Sequence, residues 1–494
     1  MIGKQALVID ASDFVRGMST SGEISDGGFS PDTDSVNPQV VPGAIYAPAL
    51  RTDKSTNLVG EIIASCIDPI NDADAFNRIA VSADSTDDGR VYSVDADGDL
   101  ALIGAEDTGR NYVQGRTDMI AYKNEVYITT DTHIVRVYDT DANGSLDTLN
   151  TTFASFTNSV FVPHPAIVYE DNAYYGDGNL LLRQTAANSA PATILTLPAD
   201  SIIIALGIDP GSGKMLISYA QGFKGISLTN SQFAKVGFYD GSSNKLSRTV
   251  IVEEIITAFP TAGGVQYAGY GNSLGYWNGS GISFLRKFTG ITYSNTRLLY
   301  KHHFAAIGST LYFLDGRSVI AHGHVIQGGS RVFWPAFYNQ ANSNNFTYIA
   351  SLGQNLLSVS YSSAQHFTVD ISSTASTNTM AFVTNWYRFA RPIIIRSAFV
   401  EFADTVTSGV TPATLSFNNR AYHGGTGSFN VFASLASSTG GATRETVVPI
   451  APQIGNQATT GAQPHIGRTF RFRIITDTTN TGIARIIIYY DVYE

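Results

Sequence analysis

The chain has 494 residues, a formal net charge of −10, and 15% charged against 43% hydrophobic residues, so two or three domains are expected rather than one core. No run of Lys or Arg is present to neutralise phosphates, and no apolar window approaches the ~20 residues of a membrane helix, so neither a sequence-specific nucleic-acid partner nor a membrane anchor is expected. A single cysteine, Cys66, excludes an intrachain disulfide framework.

Glycine (46), Tyr (25) and Phe (27) are abundant. Aromatic and β-branched side chains suit a pleated surface, and Gly and Asn supply turn dihedrals, so the composition favours strands over helices. The opening MIGKQALVIDASDF holds no apolar stretch of signal-peptide length. Synthesis and folding in a reducing cytosol are expected. A low-charge surface rich in Ser, Thr, Asn, Gly and Tyr nevertheless suits a protein that works outside the cell. A virus particle, assembled in the host cytoplasm and then released, meets both conditions.

Residues 1–58 read as an extended arm. Pro31, Pro38, Pro42 and Pro48 lie in 26–49 with Gly and Asp between them. Each proline pushes the preceding residue toward extended geometry, and no helical period survives. The few apolar groups there, among them Phe29, Val40, Val41, Ile45 and Tyr46, must be covered by the rest of the protein or by a neighbouring subunit.

From 59 to 385 a theme repeats: short apolar strand, Gly/Asp/Asn turn, strand with a central aromatic, further turn. It occurs at 78–103, 118–138, 165–182, 202–219, 264–285, 303–320 and 348–369. The spacing is that of four-stranded propeller blades, six or seven in number. In 125–129, Val126 and Ile128 face one way and Glu125, Tyr127 and Thr129 the other. One such sheet cannot bury two faces alone, whereas a ring of them can. Stacked sandwiches are the rival arrangement.

From 386 to 494 the pattern changes to six longer strands, at 391–402, 412–417, 428–435, 444–450, 468–475 and 482–493. Phe470, Phe472 and Ile474 share one face there, and Arg471 and Arg473 the other. A C-terminal β-sandwich is expected, with its apolar last strand central or covered by a partner. The fold class is therefore all-β: N-terminal arm, propeller, sandwich.

The chemical motifs are few. In DTDANGSLD, Asp139, Asp141, Asn143, Ser145 (through its carbonyl) and Asp147 have the alternate spacing that wraps oxygens around Ca²⁺, with Gly144 for the bend. The same residues also make an ordinary polar hairpin loop. Asp95, Asp97 and Asp99 read as a turn. GNSLG, around Ser273, matches a nucleophile pattern but lacks the strand-to-helix context that chemistry requires. GIDPGSGK, 207–214, has the wrong spacing for a phosphate loop and reads as a hairpin turn. His302, His303, His322 and His324 could meet around a metal if their sheet folds back. Adjacent Glu253 and Glu254 point to opposite faces of a strand and cannot share a site. No cofactor is called for beyond that calcium loop, and no enzyme activity is expected.

The N-terminal GGFSPDTDSVNPQVVPGAIYAP, 27–48, resembles the opening of structural proteins of tailed bacteriophages, and the ending IARIIIYYDVYE after FRFRII resembles their C-terminal sandwich. That family includes the nozzle and tail-ring components of short-tailed phages. The resemblance implies a virion tail protein that forms a homo-oligomeric ring, contacts other tail proteins and encloses a DNA channel. It carries over no catalytic residue. The alternative is an adhesin that binds host-surface glycan through Tyr270, Tyr276, Trp277, Trp334 and Tyr338; a propeller glycan hydrolase or lyase comes third.

Overall fold

The computed structural model describes residues 5–10, 36, 38–39, 44–46, 51–71, 77–158, 162–222, 233–287, 300–325, 329–338, 345–361, 364–372, 380–406, 413–419, 430–435, 443–449, 466–476 and 482–492. Among the described residues, seven small antiparallel sheets follow one another, spanning 61–107, 119–155, 166–196, 201–252, 256–287, 304–338 and 346–370. Each has four strands except the fifth, which has five. The strand Arg51–Asp53 supplies the outermost strand of the seventh.

Turn chemistry sets the registers. In the second sheet, Lys123 and Asn124 have φ of 51° and 62° and link Met119–Tyr122 to Glu125–Thr129. In the third, Glu170 and Asp171 have φ of 45° and 59° at the equivalent place. Two consecutive positive φ values give a tight hairpin whose twist matches that of its strands. Lys123 Nζ lies 2.6 Å from Asp171 Oδ2, tying the two turns together. Gly89 is required for a different reason: a Cβ there would lie 2.3 Å from the Tyr112 ring, which is fully buried and donates its hydroxyl hydrogen to Asp107 Oδ2 at 2.7 Å.

The alternation read at 125–129 sorts side chains between neighbouring sheets. Val126 and Ile128 pack with Ile79, Val81 and Val91 of the first sheet. Tyr127 packs with Ala173, Tyr175 and Leu182 of the third. The third and fourth sheets repeat the arrangement: Tyr174 and Leu181 meet Met215, Ile217 and Tyr219, while Leu216 turns toward Ala268 and Trp277 of the fifth. Both faces of these central strands are buried, and each buried aliphatic or aromatic side chain contributes about 1.5–3 kcal/mol. Tyr348 and Leu352 of the seventh sheet pack with Ile62, Tyr92 and Leu100 of the first, so the succession closes on itself. The innermost strands, from Glu61–Ile67 to Phe346–Ser351, neighbour one another around the same circle. The fold is all-β and of propeller type. The closing sheet is fastened by Lys54 N–H on the His366 carbonyl (2.8 Å) and His366 N–H on Ser55 Oγ (3.0 Å).

Compact-unit boundaries fall at 52–318 with 341–368, which hold the ring sheets apart from 319–338 of the sixth and the last residues of the seventh, and at 1–51, 319–340 and 369–494 for a second unit. In the second unit, all six strands read from the sequence are present, the longest being Tyr387–Val406. With Gln5–Asp10 and Ala381–Val383 they form one eight-stranded antiparallel sheet. The last strand, Ile483–Val492, lies one strand in from the edge, between Gln5–Asp10 and Tyr387–Val406. Phe470, Phe472 and Ile474 are fully buried, and Arg471 lies over the Trp386 ring at 4.8 Å. Within the stretch read as an arm, Val36 N–H donates to the Pro335 carbonyl (2.8 Å), Gln39 Nε2 to the His324 carbonyl (2.6 Å), and Ile45 exchanges two backbone bonds with Ile483. Most of 26–49, and with it most of the stretch carrying the N-terminal resemblance, lies outside the described residues.

Candidate functional site

The most developed polar cluster lies in the ring unit, where the turn Lys301–His303 precedes the innermost strand of the sixth sheet, Phe304–Ile307. Its anchor is Asp118, one residue before the innermost strand of the second sheet. Asp118 Oδ1 accepts from Lys301 Nζ (2.9 Å), His302 Nε2–H (2.9 Å) and Met119 N–H (2.7 Å), and Oδ2 accepts from Ala166 N–H (2.9 Å). Burial alone would raise its pKa; the Lys301 ammonium, then the His302 ring, then Ala166 N–H outweigh burial and hold it well below the usual carboxylate range. His302 is buried and pushed down, and stays neutral despite Asp118. Its Nδ1 accepts from Ser65 N–H at 3.4 Å, which assigns the proton to Nε2.

The rest of the turn spreads these ties around the ring. Tyr300 Oη–H donates to the Ile63 carbonyl (2.7 Å), and Lys301 Nζ also donates to the carbonyls of Met119 (3.2 Å) and Ala166 (3.3 Å). Gln114 Nε2 lies 3.0 Å from His303 Nε2 and donates to the Thr347 carbonyl at 2.9 Å. One turn of the sixth sheet thus engages groups of the first, second and third sheets, and through Gln114 the seventh.

Beside this turn lies a cavity of about 350 Å³. Its walls come from the approach to the second sheet and from the innermost strands of the third to sixth. Pro163, Pro165, Ile204, Leu206, Phe259 and Phe304 make its apolar surface. Gly207 allows one wall to form, because a Cβ there would lie 2.6 Å from Phe259 Cβ. Thr257 donates its hydroxyl hydrogen to the Gly269 carbonyl (3.1 Å).

The loop read as a calcium site does bring its carboxylates together: ligand oxygens of Asp139, Asp141 and Asp147 lie within 4.8 Å of one another. Among the described residues it is the one such cluster of three acidic, His or Cys side chains. Its oxygens also hold the loop itself. Asp139 accepts from Asp141 N–H (3.2 Å) and Gly144 N–H (2.9 Å), and Asp141 from Asn143 N–H (3.2 Å). Asn143 Oδ1 accepts from Ser145 N–H (2.9 Å), and Asp147 from the Thr148 hydroxyl (2.7 Å). For Asp139, slight desolvation is overcome by the backbone N–H of Gly144, and the pKa is lowered; Asp147 is lowered first by the Thr148 hydroxyl.

The remaining motifs resolve as turns or core. Asp95 caps its own turn by accepting from Asp97 N–H (3.0 Å) and Asp99 N–H (2.8 Å). Ser273 opens the strand Ser273–Trp277 across a hairpin from Tyr270, with no helix following. Residues 209–214 are a hairpin turn in which Asp209 accepts from Ser212 N–H (2.8 Å) and its hydroxyl (2.6 Å). The histidines have separate tasks: His302 and His303 hold the central turn, His322 stacks on Phe333 with centroids 4.2 Å apart, and His324 Nδ1 meets the Gly329 carbonyl at 2.6 Å. Of the aromatics read as glycan contacts, Tyr270, Trp277 and Trp334 are buried, and Tyr276 is half-buried against Tyr267. The Tyr338 side chain lies outside the described residues. Asp118, the centre of the cluster, was missed; the available signal was a lone acid directly before an apolar strand, in a chain with a KHH tripeptide at 301–303.

No protein-family model and no curated protein matches the chain. Among solved structures it is similar to a chain of the mitotic checkpoint complex (12% identity, 65% of this chain and 91% of that one, TM-score 0.41). It is also similar to YCF48 bound to D1 peptide (8%, 66% and 97%, 0.41) and to the Dos1 propeller (10%, 66% and 95%, 0.38).

Proposed function

We propose that the protein is a non-catalytic structural component of a bacteriophage tail. In this reading the seven sheets are seven blades of one propeller, copies of the chain associate into a homo-oligomeric ring around a DNA passage, and other tail proteins dock on it. The observation that carries the non-catalytic part is the state of Asp118. A general acid–base carboxylate needs a pKa near the working pH. Asp118 has four donors on its two oxygens and is held ionised, which suits an anchor. The tail setting is supported by the resemblance of the chain's two ends to phage structural proteins.

The second unit fits the same reading as a sandwich. Tyr387–Val406 pairs with Ile466–Thr476 through its first half and with Thr443–Pro449 through its second. A long strand that changes partner midway is the device by which one sheet turns a corner onto itself. The test is the absolute mass of the purified full chain by light scattering, with negative-stain images of the same peak. A closed ring of several subunits is expected. A monomer that also releases reducing sugar from host-surface polysaccharide would overturn the reading.

A further inference from the structure

We propose that the cavity beside the Lys301–His303 turn binds a small, uncharged, largely apolar molecule, of the size of a fused aromatic ring system. Its volume of about 350 Å³ lies in the range of small-ligand sites. Liquid water would fill that volume with about a dozen molecules, yet Pro163, Pro165, Ile204, Leu206, Phe259 and Phe304 offer them no hydrogen bonds. Displacing such water by an apolar body is favourable.

The charged groups at the wall decide the ligand's class. Lys301 has three donor hydrogens and three intramolecular acceptors: Asp118 Oδ1, the Met119 carbonyl and the Ala166 carbonyl. Asp118 Oδ1 already takes three donors and Oδ2 takes the Ala166 N–H. Arg116 sits in the field of Asp131 and Asp87. An anion would have to pull Lys301 from the turn that ties the sheets, and a cation would meet a carboxylate already neutralised. A charged ligand would therefore compete with Lys301's own partners and lose part of its hydration for no new ion pair with Asp118. A neutral ligand would meet the backbone of the innermost strands along the cavity wall, which suits one or two hydrogen bonds. The site does not depend on the tail assignment.

The probes are indole, its anionic relative indole-3-acetate and its cationic relative tryptamine, titrated into the full chain by calorimetry. Indole is expected to bind, with each charged analogue weaker by about tenfold or more. Ala205 and Ala305 are buried wall residues. Ala305→Phe, which fills the space, is expected to abolish indole binding while the circular dichroism spectrum is kept. Should Ala305→Phe fail to fold, Leu206→Ala, which enlarges the same wall, is expected to change indole affinity, and an unchanged affinity would refute the site. Equal binding of all three probes, unchanged binding in Ala305→Phe, or no indole binding at millimolar concentration would each overturn the proposal.

Discussion

The two units pair their strands in opposite ways along the chain: central strands of the ring such as Asn172–Asp177 are buried on both faces, whereas Ile483–Val492 alternates buried with partly exposed residues. In the ring, each sheet from the first to the sixth is made from one continuous stretch, and most neighbouring strands are also consecutive in sequence. In the other unit the order mixes early and late strands, and Asp10 reaches Arg485 across a separation of 475 residues. Local pairing closes short loops and is fast; pairing the first strand with the last must wait for the whole chain. The ring is held by repetition plus one central turn, the other sheet by a few long-range pairs, so substitutions should act on each unit separately.

The largest effect is expected at Phe472, fully buried in the eight-stranded sheet. Phe472→Ala should cost about 4 kcal/mol through lost burial and the cavity left behind. In calorimetry one of two transitions should fall and the other stay; a single transition moving as a whole would show that the units unfold together. Next is the ring's anchor. Asp118→Ala leaves the buried His302 ring N–H and two backbone donors without their acceptor, and should cost about 3 kcal/mol, read from the denaturant midpoint. Asp118→Asn should cost less. A loss under about 0.5 kcal/mol for Asp118→Ala would remove the central turn from the account of ring stability.

The same contrast explains what could be read from residues alone. The ring's repeats were legible because strand, turn and aromatic recur in order, and alternation at 125–129 reports a real division of side chains between two sheets. The strands of the other unit were legible one by one, as Phe470, Phe472 and Ile474 illustrate. Their order was not, because nothing local in Ile483–Val492 says that Gln5–Asp10 lies beside it. Arg51–Asp53 was hidden for the same reason: three residues at the end of a proline-rich stretch complete a sheet formed more than 290 residues later. At the site, Asp139, Asp141 and Asp147 were found because ligand spacing is a local signal, whereas the Asp118–His302 contact spans 184 residues and leaves no such trace.

Acid should act on the ring's closing sheet. His366 there is fully buried, and burial pushes its pKa down to about 4. The unfolded chain, with an ordinary His near 6.5, binds the proton first as pH falls. Stability is therefore full above about pH 6.5, declines through the interval and has lost this contribution below about pH 4, a change of up to about 3 kcal/mol. His164 and His302 are lowered too and add slope of the same sign, so the informative quantity is the difference between wild type and His366→Leu. A pH dependence identical in the two proteins would sink the assignment. The 139–147 loop should respond less: calcium at ten times its dissociation constant should stabilise the ring transition by about 1.4 kcal/mol, an effect lost in Asp139→Asn. Calcium without effect on either protein would leave those carboxylates as turn caps alone.

The smallest effect is expected where the two ends of the chain meet. Arg485 donates from Nε and Nη2 to Asp10 Oδ2, each at 3.1 Å, and its side chain is 44% exposed. Water and the entropy of holding a long side chain offset most of that attraction. A double-mutant cycle with Asp10→Ala and Arg485→Ala should therefore give a coupling below about 1 kcal/mol, shrinking further in molar salt. The six-residue backbone register between Gln5–Asp10 and Ile483–Val492, with Ile9 buried against it, would then be what holds the first strand to the last. A coupling above about 2 kcal/mol that survives salt would reverse that order, making the ion pair the element that selects the register.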